Sequence, residues 1–129
     1  MEILCTICCK EKRKHSGLLP ARLRYISKRI DFVGQESRRL NVPYLIFSGK
    51  YGLIEPDYEI PDYDKLLKLE DVDEIKILLK QQLTEKRVSA ITFYGRAKST
   101  EGWGAYYAAI EQSCEELDIP IHFESFENS

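Results

Sequence analysis

The chain has 129 residues, of which 43% are hydrophobic and 31% are charged, as is usual for a single globular domain. No apolar run approaches the roughly 20 residues that cross a bilayer, and the N-terminus lacks the layout of a signal peptide. We therefore expect no membrane span and a cytoplasmic location, where the four cysteines would be thiols or ligands rather than disulfides.

The net charge of −2 is unevenly distributed along the chain. Residues 10–39 contain ten Lys and Arg against three acids, whereas residues 55–85 contain ten acids against four lysines. The basic segment is typical of a surface that binds phosphate or nucleic acid. It is equally typical of helix-borne arginines that face solvent or pair with the acidic half, and composition leaves both interpretations open.

The first half of the chain is predicted to contain two strands and one helix. Residues 1–8 form an apolar first strand, and residues 10–17 form a basic loop. Ser27 is suited to cap a helix that ends near Asn41. Residues 42–47 read as a strand buried on both faces, ending in the polar turn Ser48-Gly49-Lys50-Tyr51-Gly52. Residues 51–64, interrupted by Pro56 and Pro61, are predicted to be a long ordered loop.

The second half repeats the alternation of helix and strand. Residues 71–85 are amphipathic and predict a helix, and the β-branched and aromatic residues 88–94 predict a strand. A polar loop over 95–102 leads to a helix over 103–117 and a last strand over 119–126. The order predicts a single three-layer α/β/α domain, 1–129, whose four-stranded and mostly parallel sheet has the strand order 2-1-3-4.

Parallel strands share one carboxyl edge, and open α/β sheets bind ligands outside that edge. The loops after the first three strands would bring their polar residues together there: Cys8, Cys9, Lys12, Ser48, Lys50, Tyr94 and Arg96. The long loop can fold Tyr58, Tyr63 and Asp64 over the same edge. This shared edge is the predicted site.

The cysteine pattern near the N-terminus admits two interpretations. Cys5 and Cys8, with His15 nearby, have the spacing of a zinc site, but within one extended strand their side chains point to opposite faces. We therefore expect no metal. Cys8 ends the strand beside Lys10 and Lys12, and nearby cations favour the nucleophilic thiolate, so Cys8 is a candidate nucleophile.

Basic, aromatic and acidic residues complete the set of candidates. Lys12, Arg22 and Lys50 are suited to hold a phosphate or carboxylate. The aromatic residues that would either stack on a base or pack in the core are Tyr51, Tyr58, Tyr63 and Trp103. Asp64 is either a carboxylate base at the edge or a solvated turn residue. His122 lies inside the last strand and is predicted to be structural.

Four short motifs resemble a family of small uncharacterised bacterial domains. They are Cys8-Cys9-Lys10-Glu11-Lys12, Pro20-Ala21-Arg22 with Tyr25 and Ser27, Ser48-Gly49-Lys50-Tyr51-Gly52-Leu53, and Tyr63-Asp64. The usual family pattern is Cys-x-x-x-Lys, Pro-Ala-Arg-x-x-Tyr-x-Ser, Ser-Ala-Lys-Tyr/His-Gly-Leu and Tyr-Asp. Gly49 replaces the usual alanine. More distantly, the middle motif is similar to YaaA-like peroxide-stress proteins and to the lysine-transferring domain of archaeosine synthase.

The resemblance implies a role directed at nucleotides or nucleic acid, since the stress proteins are associated with DNA and the synthase with a transfer-RNA base. It implies that the motif residues share a pocket: Cys8 and Asp64 for chemistry, and Lys12, Arg22, Tyr25, Ser27, Ser48, Gly49, Lys50, Tyr51, Gly52 and Tyr63 for binding. The expected function is a nucleotide-, nucleobase- or nucleic-acid-directed pocket, in a base-modifying or glycosidic-bond enzyme. The alternative is a non-catalytic module that binds nucleic acid or another partner through the basic N-terminal third of the chain, residues 10–39. The motifs specify no cofactor and no oligomeric state.

Overall fold

A computed structural model describes residues 1–127, and a five-stranded sheet forms its centre. The strands are β1 (Glu2–Ile7), β2 (Leu19–Pro20), β3 (Tyr44–Ser48), β4 (Gly52–Ile54), β5 (Glu59–Ile60), β6 (Ala90–Gly95) and β7 (Ile121–Ser125). The helices are α1 (Ala21–Arg24), α2 (Lys28–Leu40), α3 (Val72–Glu85) and α4 (Gly104–Glu116), with a 3₁₀ turn at Leu69–Asp71. The fold is therefore mixed α/β.

The sheet has the order β4-β3-β1-β6-β7 and is mixed rather than all parallel. β3, β1, β6 and β7 run parallel, whereas β4 pairs antiparallel with β3. The expectation of four strands was wrong, because residues 52–54 in the predicted loop form an edge strand. A tight turn at Gly52, whose φ is +72°, folds this short strand back onto β3. β5, in the same predicted loop, pairs with β2 outside the main sheet.

Alternate residues of β1 face different helices. Leu4 packs with Val33 of α2 and with Tyr94 of β6, whereas Cys5 is buried near Cys114 of α4. This alternation is the expected result of the two-residue period of a strand. The first strand therefore lies in the centre of the sheet between β3 and β6, and Ile7 at its carboxyl end is buried.

Helix α2 begins and ends as its sequence predicts. The Oγ of Ser27 accepts a hydrogen bond of 3.1 Å from the backbone N–H of Ile30, and Asn41 ends the helix in a left-handed conformation. Gly34 in the middle of the helix lies against Tyr44, whose hydroxyl would stand 3.3 Å from an added Cβ. The helix places Arg29 beneath the carboxyl end of β1.

The basic loop after β1 is fixed by Arg24, which has no exposed surface. Its guanidinium donates hydrogen bonds to four backbone carbonyls: Arg13 at 2.8 Å, His15 at 3.2 Å, Gly17 at 2.5 Å and Ile60 at 3.2 Å. The loop that carries Lys10 and Lys12 is thereby attached to α1 and β5. Within residues 1–127, no helix is long and apolar enough to cross a membrane.

Candidate functional site

A cleft of about 520 Å³ opens at the carboxyl ends of β1 and β6, beside the start of α4. Its wall is partly apolar, formed by Ile7, Leu66 and Trp103. The polar and reactive residues that line it are Cys8, Cys9, Lys10, Lys12, Arg29, Asp64, Lys65, Arg96, Glu101 and Tyr106. The cleft therefore combines an apolar surface, two thiols and an excess of cations at one edge of the sheet.

Cys8 lies directly after β1 and is 9% exposed. Its Sγ is 3.7 Å from the hydroxyl of Tyr106, which also accepts a hydrogen bond of 3.2 Å from the backbone N–H of Leu67. Tyr106 belongs to α4, far along the chain, and its sequence pattern is that of a core aromatic residue. Sequence reasoning missed Tyr106 because nothing local connects it with Cys8.

A second group of hydroxyls lies next to the thiol. The Oγ of Ser48 accepts from the backbone N–H of Lys50 at 3.1 Å and of Tyr51 at 3.2 Å. Both acceptor positions of that oxygen are thus used, so its proton is donated to the hydroxyl of Tyr63, 2.8 Å away. The hydroxyl of Tyr63 in turn hydrogen-bonds that of Tyr25. This hydrogen-bond network links Ser48, at the end of β3, to Tyr63 in the segment that follows β5.

The three tyrosines around the thiol keep their protons. Burial first, and then the neighbouring Cys8, raise the pKa values of Tyr25, Tyr63 and Tyr106 above the ordinary value of 10. At neutral pH each of them is therefore a hydroxyl that can donate a hydrogen bond, and none of them is a phenolate base.

Three lysines border the site without a carboxylate partner. Within residues 1–127, no carboxylate lies within 4 Å of the ammonium groups of Lys10, Lys12 or Lys50. The Nζ of Lys12 is 4.7 Å from the ring centre of Tyr63, and the Nζ of Lys50 is 5.8 Å from the same centre. The Tyr63 ring therefore interacts with two cations, of which Lys12 lines the cleft and Lys50 lines an adjoining cavity.

Arg29 supplies a buried positive charge that the sequence did not reveal. It is 1% exposed and donates hydrogen bonds of 2.5 Å to the Oγ1 of Thr6 and the carbonyl of Ile7, and a longer one of 3.4 Å to the carbonyl of Cys8. Its guanidinium lies 4.8 Å from the ring centre of Trp103. Burial lowers its pKa, but arginine remains protonated in proteins. In the sequence it is one more arginine of a basic segment.

Several of the residues predicted for the site lie elsewhere. The Nε of Arg22 pairs with Asp57 at 2.9 Å on the surface and does not line the cleft. Ser27 caps α2, and Tyr94 packs with Leu4 on the face of the sheet covered by α2. Tyr58 is exposed and its ring lies near that of Tyr51. His122, predicted to be structural, is exposed and hydrogen-bonds Glu124 at 2.9 Å.

Packing explains why two residues of the turn after β3, Gly49 and Gly52, are glycines. An added Cβ on Gly49 would stand 2.8 Å from the hydroxyl of Tyr106, and at Gly52 it would clash with Gln82. Gln82 of α3 accepts from the N–H of Leu53 at 2.7 Å and donates to the carbonyl of Tyr51 at 3.1 Å. The turn over residues 48–52 is therefore held between α3, through Gln82, and α4, through Tyr106.

The other cysteines differ from Cys8 in their surroundings. Cys5 is completely buried, and burial raises the pKa of its thiol. Burial also raises the pKa values of Cys9 and Cys114 to about 11, and the thiol of Cys9 donates to the carbonyl of Glu11 at 3.0 Å. Within residues 1–127, no three His, Cys, Asp or Glu side chains are arranged to hold a metal ion.

Comparison of the sequence with protein-family models and with curated proteins gave no match.

Proposed function

We propose that the cleft binds a nucleotide, either free or at the end of a nucleic-acid strand, with its phosphate on the lysines and its base on the apolar wall. The observation that carries this proposal is that two lysines without carboxylate partners, Lys10 and Lys12, line a partly aromatic cleft, while a third, Lys50, lies in the turn after β3 and lines an adjoining cavity. A phosphate would supply the negative charge that these lysines lack.

The charges that line the cleft support an anionic ligand. Five cations line it, Lys10, Lys12, Arg29, Lys65 and Arg96, against two carboxylates, Asp64 and Glu101. Lys65 is partly neutralised by Asp71 at 3.4 Å. A cleft lined mainly by one sign of charge concentrates the opposite charge within it, so the anionic end of a ligand is attracted before contact.

The size and wall of the cleft suit the rest of a nucleotide. Its volume of about 520 Å³ falls within the usual range for small-ligand sites, roughly 300–1,000 Å³. Trp103 and Tyr106 are aromatic and nearly buried, and Leu66 is exposed at the rim. These surfaces would contact a flat base, while Asp64 offers a carboxylate to accept hydrogen bonds from it or from the sugar.

A nucleic-acid-binding module on the basic segment is less well supported. Arg24 and Arg29 are buried and donate to backbone carbonyls, so neither presents its charge on the outer surface of the protein, although Arg29 lines the cleft. Three further cations of the segment are paired on the surface: Lys14 with Asp62, Arg22 with Asp57, and Arg39 with Glu36. The excess of positive charge in residues 10–39 is therefore much smaller on the surface than in the sequence.

The test is a calorimetric and thermal-shift titration with the four ribonucleoside monophosphates, the matching nucleosides and inorganic phosphate. We expect a monophosphate to bind more tightly than its nucleoside and to stabilise the fold by roughly 2.7 kcal/mol at a hundred times its Kd. Lys12→Gln and Lys50→Gln should each weaken binding by about tenfold or more, because each removes a charge-assisted contact.

Lys28→Gln is the matched control, because Lys28 is an exposed lysine of the basic segment that lines neither the cleft nor the adjoining cavity that Lys50 lines. It should bind the monophosphates as the unaltered protein does. If nucleosides bind as tightly as monophosphates, or if all three variants bind equally, the proposal is wrong. Binding only to oligonucleotides, independent of base and lost steeply with salt, would instead favour the binding module.

A further inference from the structure

We propose that Cys8 is a nucleophilic thiol of the cleft, reactive toward soft carbon electrophiles, and that Tyr106 is the positioning residue that holds its sulfur ready. The inference concerns the same cleft as the proposed nucleotide site. It does not depend on a bound nucleotide, so a result that disproves one of the two proposals leaves the other standing.

The backbone of Cys8 is fixed on both sides. Its N–H donates to the carbonyl of Phe47 in the neighbouring strand at 2.9 Å, and its carbonyl accepts from Arg29 at 3.4 Å. Its side chain lines the cleft while only 9% of the residue is exposed. The sulfur therefore occupies a defined position at the base of the cleft instead of the end of a surface loop.

The hydroxyl of Tyr106 is oriented toward that sulfur. The N–H of Leu67 occupies one acceptor position of the hydroxyl oxygen, at 3.2 Å, and the ring is held edge-to-face against Phe47. Within residues 1–127, the remaining polar partner of the hydroxyl is the Sγ of Cys8, 3.7 Å away. Burial keeps Tyr106 protonated, so its hydroxyl is able to donate to the sulfur and would stabilise a negative charge that forms there.

A second observation points to the same place. Arg29 lines the cleft, is 1% exposed, and the Nε of its guanidinium has no hydrogen-bond partner among the described residues. A buried guanidinium is a permanent positive charge, and it lies directly behind the carbonyl of Cys8. Lys10 and Lys12 add cations on the solvent side. Cationic groups therefore lie on both sides of this residue, an arrangement that is typical of reactive cysteines.

The probe is iodoacetamide, a small carbon electrophile. The sulfur of Cys8 forms a bond to the methylene carbon, the carbon–iodine bond breaks, iodide leaves with the electron pair, and the thiol proton passes to solvent. No oxidant or further reactant is consumed. Cys5 and Cys114 are buried outside the cleft, and the thiol of Cys9, which lines the cleft, is held by hydrogen bonds to the carbonyls of Glu11 at 3.0 Å and Ile26 at 3.5 Å. The native protein should therefore react first at Cys8.

The experiment follows alkylation of each cysteine by mass spectrometry across a range of pH. We expect one rapid modification, at Cys8. In Tyr106→Phe the rate below the plateau should fall by about threefold to tenfold, the effect of one lost hydrogen bond, and the pH of half-maximal rate should rise. Tyr44→Phe, which alters a tyrosine beside Gly34 and away from the cleft, should leave both quantities unchanged.

Gly49→Ala provides a second variant, since it displaces the Tyr106 hydroxyl without removing it, and it should shift the pH profile in the same direction. Equal rates for Cys8 and Cys9 in the folded protein would overturn the assignment of Cys8. An unchanged pH of half-maximal rate in both Tyr106→Phe and Gly49→Ala would overturn the role of Tyr106.

Discussion

The hydroxyl of Tyr106 occupies the space that a side chain at residue 49 would fill. A Cβ on Gly49 would stand 2.8 Å from that oxygen and 3.2 Å from both the N of Leu67 and the carbonyl oxygen of Lys65. The turn after β3 therefore touches the residue that faces the Cys8 thiol. Through this contact, two motifs that lie some forty residues apart in the chain share one partner.

Gly49→Ala should destabilise the protein by about 1–3 kcal/mol, the usual cost of forcing a methyl group into a packed site. The tyrosine ring is rigid and the other two neighbours are backbone atoms, so the site relaxes poorly. The measurement is the urea midpoint of unfolding. Gly104→Ala is the control, because a Cβ there meets nothing within 4 Å, and helix propensity should make that variant neutral or slightly more stable. Equal effects at the two glycines would contradict the packing argument.

Arg24→Met should destabilise the protein by about 3–5 kcal/mol, because it leaves carbonyls of the basic loop without donors in a buried site. The loop should also become a substrate for trypsin at Lys10, Lys12 and Lys14 under conditions where the unaltered protein resists. Urea unfolding and limited proteolysis measure the two effects. Arg38→Met, at an exposed arginine of α2, should change neither. A protease-resistant Arg24→Met would show that the loop is held by other contacts.

Stability should fall as the pH rises above 10. Burial raises the pKa values of Tyr25, Tyr63 and Tyr106, so the folded chain keeps protons that the unfolded chain releases above the ordinary value of 10. The contribution is complete below pH 10 and is lost at higher pH, by about 1.4 kcal/mol per pH unit for each tyrosine. Urea midpoints below and above pH 10 give the slope.

Tyr63→Phe should reduce that slope by the contribution of one tyrosine, whereas Tyr58→Phe should leave the slope unchanged, because Tyr58 is 54% exposed. A slope that is the same in both variants would mean that Tyr63 ionises in the folded protein.

The ion pairs of Glu116 should stabilise the contact between α3 and α4 in a pH-dependent way. Its carboxylate lies 2.5 Å from the Nζ of Lys76 and 2.8 Å from that of Lys80, and these lysines lower its pKa to about 2. The folded pKa is below the ordinary value of 4.5, so the stabilisation is present above pH 4.5 and is lost as the pH falls toward 2.

Glu116→Gln should therefore lower the Tm at neutral pH and match the unaltered protein near pH 2. Added salt should reduce the difference, since the carboxylate is partly exposed. Glu115→Gln, at an exposed residue with no ion pair in the described part of the chain, serves as the control. A Tm difference that persists at the acidic end would assign the effect to packing.

The elements that the sequence predicted well depend on neighbouring residues. Ser27 caps α2 through an N–H three residues away, and Asn41 ends it, so both signals are contained in the segment itself. The apolar runs likewise predicted the strands β1, β3, β6 and β7, whose observed ends differ from the predicted ends by one or two residues. β4 has only three residues, too few for a periodic pattern, and it exists because β3 offers it an edge.

The candidate site was visible only in part. The prediction that the loops after the strands converge placed Cys8, Lys12 and Asp64 on one edge, and these residues line the same cleft. Their roles in chemistry and binding stay predictions. The surroundings of the arginine side chains could not be predicted from the sequence, because a long flexible side chain can be buried, paired or free in any sequence context. Arg29 lies under the thiol, Arg24 holds the basic loop, and Arg22 pairs with Asp57.

The sequence by itself determined the caps of α2, the apolar strands and the polar turns that end them, since hydrophobic period and local hydrogen bonds are properties of contiguous residues. The tertiary structure decided which charges face the cleft and which group faces the thiol. Tyr106 is 98 residues from Cys8 along the chain, and only the packing of α4 against the sheet brings its hydroxyl to the sulfur. Contacts of that separation are set by the whole core, and no local pattern encodes them.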